Sequence, residues 1–176
     1  QSVFGGASLR HGTGASIANG GDNAYQFQSS DFTIEFRFRP DAVATVNIFD
    51  MRLSGQPSGT VPILYTLSNG TLVYYVNGVD RITSATGVIT ATTWKAIAVS
   101  RVSGTTRMFV DGTQVGSNYT DGNNYNTSAR ICIGSYVSAQ QNCYYDEVRL
   151  SNGRFGSGAG RYSGNYTIAT AAFPNS

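Results

Sequence analysis

Residues 32–39, Phe-Thr-Ile-Glu-Phe-Arg-Phe-Arg, alternate without a break, with Phe32, Ile34, Phe36 and Phe38 on one side and Thr33, Glu35, Arg37 and Arg39 on the other. That two-residue period predicts a half-buried strand, closed by Pro40, which has no N–H to give a ladder. Farther along, short β-branched and aromatic runs recur between turn dipeptides. ILYTL meets TLVYYV across Ser68-Asn69-Gly70, and TLVYYV meets VDRIT across Asn77-Gly78. WKAIAVSRV meets TTRMFV across Ser103-Gly104, and MFV meets TQVGS across Asp111-Gly112. Asn-Gly and Asp-Gly tolerate the positive φ that two-residue hairpin loops impose, so the series predicts antiparallel strands in meander order. NIFDMRL (47–53), RICIGS (130–135) and YYDEVRL (144–150) supply further strands, and no stretch sustains a helical apolar stripe. Sheets of this extent must cover an apolar face, and without helices they pack on one another. The expected fold is therefore all-β, a two-sheet antiparallel sandwich formed as one domain by residues 1–176. The Gly-rich segment 151–166 reads as a long surface segment, and the following YTIATAAFP as an edge strand.

Composition narrows the function classes. The chain is 40% hydrophobic and 12% charged, with a net charge of +2. Its basic residues are scattered Arg with Lys95 as the lone Lys, not the clustered surplus that binding a phosphate backbone draws on, so nucleic acid is not an expected partner. No run approaches the roughly 18 apolar residues of a membrane-spanning helix, and membrane insertion is not expected. Gln1 in place of a start Met suggests a processed product, an excised domain or an incompletely known sequence. Two Cys and one His are too few for a His/Cys metal centre.

Several of these runs, taken together, resemble a known family. The stretch from Trp94 to Ser117, WKAIAVSRVSGTTRMFVDGTQVGS, is similar to the central signature of laminin-G-like domains, the concanavalin A-like jelly rolls. FTIEFRFRP resembles an early strand of that family, and ICIGSY with YYDEVRLSNG resembles its closing strands. The tail RYSGNYTIATAAFP is similar to the ending of versions found in bacteriophage tail or decoration proteins. The resemblance implies a jelly-roll sandwich on a virion or extracellular surface, present in many copies or as a homo-oligomer among assembly proteins, with glycans as candidate ligands. It also implies calcium, held by loop carboxylates and carbonyls, as a candidate ion, and no required cofactor.

The chemistry expected of particular residues follows. Retaining sugar hydrolysis needs two carboxyls roughly 5–5.5 Å apart. The two Glu, Glu35 and Glu147, sit singly on separate strands, and no Gly-x-Ser-x-Gly elbow accompanies His11, so an enzyme is not expected. For calcium, Asp121-Gly122-Asn123 offers two side-chain oxygens, and Asp22, Asp31 and Asp50 are further candidates; an EF-hand register fails because its twelfth position is Cys132. The segment 118–128, NYTDGNNYNTS, is expected to be a long exposed loop. In it Tyr119 and Tyr125 would stack on a sugar or partner while Asp121, Asn123 and Asn124 hydrogen-bond to it. Cys132 and Cys143 are expected opposite one another on adjacent antiparallel strands, in a register centred between Val137 and Ser138, where a disulfide can close.

Two function classes emerge. One is a non-enzymatic structural or adhesive component of a phage virion or similar surface assembly. The other is the carbohydrate-binding domain of a secreted bacterial protein, with a glycoside hydrolase as a third and weaker reading.

Overall fold

The computed structural model describes residues 2–12, 17–18, 23–53, 56, 61–127, 129–134 and 141–173. Twelve strands run through them: β1 (Leu9–His11), β2 (Ile17–Ala18), β3 (Phe32–Pro40), β4 (Val46–Asp50), β5 (Ile63–Thr66), β6 (Leu72–Val76), β7 (Val79–Thr83), β8 (Lys95–Val102), β9 (Thr105–Val110), β10 (Thr113–Thr120), β11 (Cys132–Ile133) and β12 (Cys143–Asn152). One 3₁₀ turn (Asn23–Tyr25) is the only helical element among the described residues. The strands form two six-stranded sheets, ordered β1-β12-β3-β8-β9-β10 and β2-β11-β4-β5-β6-β7, and every pairing is antiparallel.

Each turn dipeptide lies where its backbone chemistry requires. Asn77 and Gly78 have φ of 54° and 73°, and Asp111 and Gly112 have 52° and 78°, the two positive values of a hairpin loop whose twist matches that of its strands. The alternating apolar residues of β3 face inward: Phe36 stacks on Phe49 of the second sheet with ring centroids 5.9 Å apart. Leu64, Leu72, Tyr74, Val76 and Ile82 complete that side of the core, opposite Ile97, Val99, Met108 and Val110.

Three expectations change. First, β3 is buried on both faces, except at Arg37, because residues 159–173 cross the outer face of the first sheet. This strap is tied down by backbone contacts: the Thr33 hydroxyl donates to the Ala159 carbonyl (2.6 Å), the Tyr162 N–H to Ser100 Oγ (3.1 Å), the Tyr166 N–H to the Gly112 carbonyl (2.9 Å) and Arg37 to the Ala169 carbonyl (2.6 Å). Second, the tail is therefore a cover and not an edge strand. Its Tyr162 and Tyr166 rings meet Phe109 of the first sheet edge to face, and its polar backbone groups bond to scattered side chains and turn carbonyls.

Third, Cys132 and Cys143 do not lie on adjacent strands. β11 pairs with β2 and β4 in the second sheet, whereas β12 pairs with β1 and β3 in the first. The expected register centre between Val137 and Ser138 lies outside the described residues, and both thiols are buried with no disulfide between them. Burial pushes the Cys143 thiol up to about 11.

Candidate functional site

The segment 118–128 splits in two. Residues 118–120 complete β10, and beyond them Asp121 and Tyr125 turn inward, while Ser128 lies outside the described residues. Asp121 and Tyr125 are almost fully buried, and Tyr119 packs against the core with Arg81 over its ring. The Asp121 carboxylate accepts hydrogen bonds from the Thr106 hydroxyl (2.8 Å), the Tyr125 hydroxyl (2.9 Å) and both the backbone and side-chain amides of Asn123 (3.1 and 2.7 Å). Asn123 also donates to the Tyr119 hydroxyl (2.8 Å) and accepts from Asn77 in the β6–β7 turn. Since the Tyr125 hydroxyl donates to Asp121, Tyr74 donates to Tyr125 (3.2 Å). Arg101, also buried, lies 3.8 Å from Asp121 and donates to the carbonyls of Asn123 and Ser29.

The expectation that Tyr125 and Asp121 meet a ligand is thereby corrected. A ring and a carboxylate enclosed by their own sandwich have no free face, because a buried polar loop must satisfy its hydrogen bonds internally. Asn124, Asn118 and Gly122 remain exposed there.

The carboxylates weighed for catalysis are also engaged. Glu35 is buried beneath the strap, with Arg149 Nε at 2.8 Å, Arg161 Nε at 3.6 Å and the Tyr162 hydroxyl at 2.8 Å. Burial and that hydrogen bond push Tyr162 up to about 12. Glu147 sits at a β-bulge with φ of 51° and accepts the Phe173 N–H. His11 is buried opposite Cys143, and burial lowers its pKa.

Of the calcium candidates, Asp31 accepts the Ser103 N–H (2.8 Å), Asp50 is ion-paired, and Asp22 lies outside the described residues. Among the described residues no three His, Cys, Asp or Glu side chains group as metal ligands.

A second region, which the sequence reading passed over, has the shape of a binding site. Strand registers align the outward residues of the second sheet in two rows. Asp50, Ile63, Tyr75 and Asp80 follow one another across β4–β7, and Asn47, Tyr65, Val73 and Thr83 run alongside. Here lies a groove of about 330 Å³, lined by Thr45, Asn47, Arg52, Ile63, Tyr65 and Tyr75 among others. The Tyr65 and Tyr75 rings meet edge to face, 6.4 Å between centroids and 65° apart. The Tyr65 hydroxyl donates to Asp80 (2.7 Å), and burial together with this bond raises its pKa. At the other end Asp50 is gripped by Arg52, whose Nε and Nη2 reach its two oxygens at 3.0 and 2.6 Å, and by Asn47 Nδ2 at 3.2 Å. That bond to Asp50 holds the guanidinium more firmly protonated than usual.

The groove thus offers what a polyhydroxylated ring needs: half-buried aromatic walls with polar tips, an apolar floor and hydrogen-bonding groups at both ends. Its signal was present in the β5–β6 hairpin. Counting back from the Ser68-Asn69-Gly70 turn pairs Tyr65 with Val73 and Ile63 with Tyr75, so both Tyr fall on one face.

Comparison with known proteins is consistent with this architecture. The Laminin G-like family described as the concanavalin A-like lectin/glucanases superfamily matches residues 11–157. No curated protein sequence matches the chain. Among solved structures, the LG4-5 domains of the mouse laminin alpha1 chain superpose with a TM-score of 0.65 at 18% identity, covering 82% of this chain and 41% of that one. Trypanosoma rangeli sialidase in complex with sialic acid gives 0.53 at 16% identity, covering 68% of this chain and 20% of that one. A heptameric SAP-like pentraxin from Limulus polyphemus gives 0.50 at 18% identity, covering 77% and 74%. The chain thus spans about a fifth of the sialidase and two fifths of the laminin fragment, and at these identities the likeness is one of fold.

Proposed function

Because the chain belongs to the concanavalin A-like lectin/glucanases superfamily and folds as its two-sheet jelly roll, we propose that it is a non-catalytic, carbohydrate-binding adhesive domain. The observation that carries this reading is the Tyr65–Tyr75 groove on the outer face of the second sheet, with Asn47, Arg52 and Asp80 arranged around it. A pyranose would lie against the Tyr75 ring and exchange hydrogen bonds with Asn47 at one end and Asp80 at the other. Strands hold these side chains more firmly than a loop would, which limits the ordering cost of binding.

The absence of catalysis belongs to the proposal. Glu35 and Glu147 lie on the opposite sheet, each bound to groups of its own chain, so neither is poised to donate a proton or attack a sugar. Placement on a phage virion or a comparable surface assembly is a finer proposal, supported by the tail resemblance over residues 161–174 alone. Secretion as part of a larger bacterial protein is its alternative.

The test is a screen of immobilised oligosaccharides followed by calorimetry, comparing the wild type with Tyr75→Ala and Tyr65→Ala. The expected result is binding that either substitution weakens while cooperative unfolding persists. Binding unaffected by both would remove the groove from the proposal, and binding to no saccharide would remove the function.

A further inference from the structure

The charges around the groove are unevenly disposed, and this bears on which glycans fit. The cation lining it, Arg52, is already held by the buried Asp50 carboxylate through contacts to both oxygens. At the opposite end stands Asp80, exposed, accepting one hydrogen bond from Tyr65 and keeping acceptor capacity for more. Counting Asp50, Arg52 and Asp80, the described lining residues and the hydrogen-bond partners named above sum to one negative charge.

We infer, resting on the carbohydrate-binding reading, that the groove selects neutral saccharides and rejects sialylated, uronic or sulfated ones. Two physical effects act together. An incoming carboxylate or sulfate would meet a cation whose charge Asp50 already neutralises, and drawing the guanidinium away would leave the buried Asp50 carboxylate uncompensated. It would also be repelled by the exposed Asp80, an effect that salt screens and that the low-salt measurement shows most clearly. A neutral sugar suffers neither penalty. Its hydroxyls donate to Asp80 and accept from Asn47, while its apolar ring face covers Tyr75. Selectivity here arises by repulsion as much as by attraction, the usual way for one site to separate ligands of similar shape.

The experiment measures affinity by calorimetry at low and moderate salt. The probes are neutral gluco-, galacto-, manno- and xylo-oligosaccharides beside 3′-sialyllactose, an oligouronate and a heparin tetrasaccharide. Two variants accompany the wild type. Asp50→Asn removes the carboxylate charge that neutralises Arg52. Asp80→Lys reverses the charge at the exposed end, on an edge strand where Lys is well tolerated, and keeps the test available should Asp50→Asn fail to fold. The wild type is expected to bind a neutral probe about tenfold or more tighter than any anionic one, with Asp80→Lys narrowing or inverting that ratio. Equal or preferential binding of the anionic probes by the wild type, lost in Tyr75→Ala, would overturn the selectivity and leave the carbohydrate reading standing. A preference unmoved in every variant that folds would also overturn it. Failure of every probe to bind would overturn both.

Discussion

The Tyr125 hydroxyl donates to the carboxylate of Asp121 at 2.9 Å, in a position where Asp121 is fully buried and Tyr125 nearly so. Both residues therefore serve the integrity of this end of the sandwich. Asp121→Ala is expected to destabilise the fold by about 3–5 kcal/mol, because it strips a buried carboxylate from Arg101 and four donor groups. Tyr125→Phe is expected to cost about 1–3 kcal/mol, the price of leaving Asp121 short of a donor. Urea unfolding of the two variants measures both, and values within 0.5 kcal/mol of wild type would contradict the network.

In the groove, Tyr75→Ala is expected to weaken saccharide binding roughly tenfold, since an aromatic contact contributes about 0.5–1.5 kcal/mol beyond its buried area. Tyr65→Phe keeps the ring and removes the bond to Asp80, so its loss should be smaller. Titration calorimetry gives the order, and a larger loss for Tyr65→Phe would place recognition at the hydroxyl and not at the ring faces.

Gly112 combines a φ of 78° with a near contact: a Cβ there would stand 2.1 Å from the Tyr166 carbonyl oxygen. Gly112→Ala must strain the β9–β10 turn and push the strap off the first sheet. It is expected to lower stability by more than about 1 kcal/mol and to speed proteolysis within residues 161–173. Unchanged digestion would show that the strap is not held at this point.

Both cysteines are buried thiols, and Cys143 is pushed up to about 11, so the reactive thiolate is scarce at neutral pH. Native protein kept under reducing conditions should label slowly with a maleimide, whereas denatured protein should take up two labels. Mass spectrometry without reductant checks the same point, since a disulfide-linked peptide pair would contradict two unbridged thiols.

His11 is buried with its pKa below the ordinary 6.5, chiefly through desolvation, with a backbone contact to Gln141 opposing part of the shift. The unfolded chain therefore takes up this proton first as pH falls. The stability associated with neutral His11 is complete above about pH 6.5 and declines below it, until the folded-state pKa is passed. His11→Gln should flatten the slope of unfolding free energy between pH 7 and 5, and a wild-type slope retained in the variant would assign it to other groups.

The registers of the hairpins were legible because they are local. Ser103-Gly104, Asn77-Gly78 and Asp111-Gly112 set positive φ values within a few residues, and the alternation in β3 needs no partner to be seen. The outward placement of Tyr65 and Tyr75 was implicit in the same arithmetic, since hairpin register fixes which side chains share a face.

What the sequence by itself determined, then, was the all-β character, the hairpin order and the inward row Phe32, Ile34, Phe36 and Phe38. Tertiary structure alone decided the rest. It sent β11 and β12 to different sheets, drew Asp121 and Tyr125 into the interior, and laid residues 159–173 over Glu35. These outcomes depend on which surfaces compete for burial when distant segments meet. Turn chemistry acts over two to four residues, whereas Arg101 reaches Asp121 and Tyr162 reaches Glu35 only once the sheets have packed and water has left the space between them.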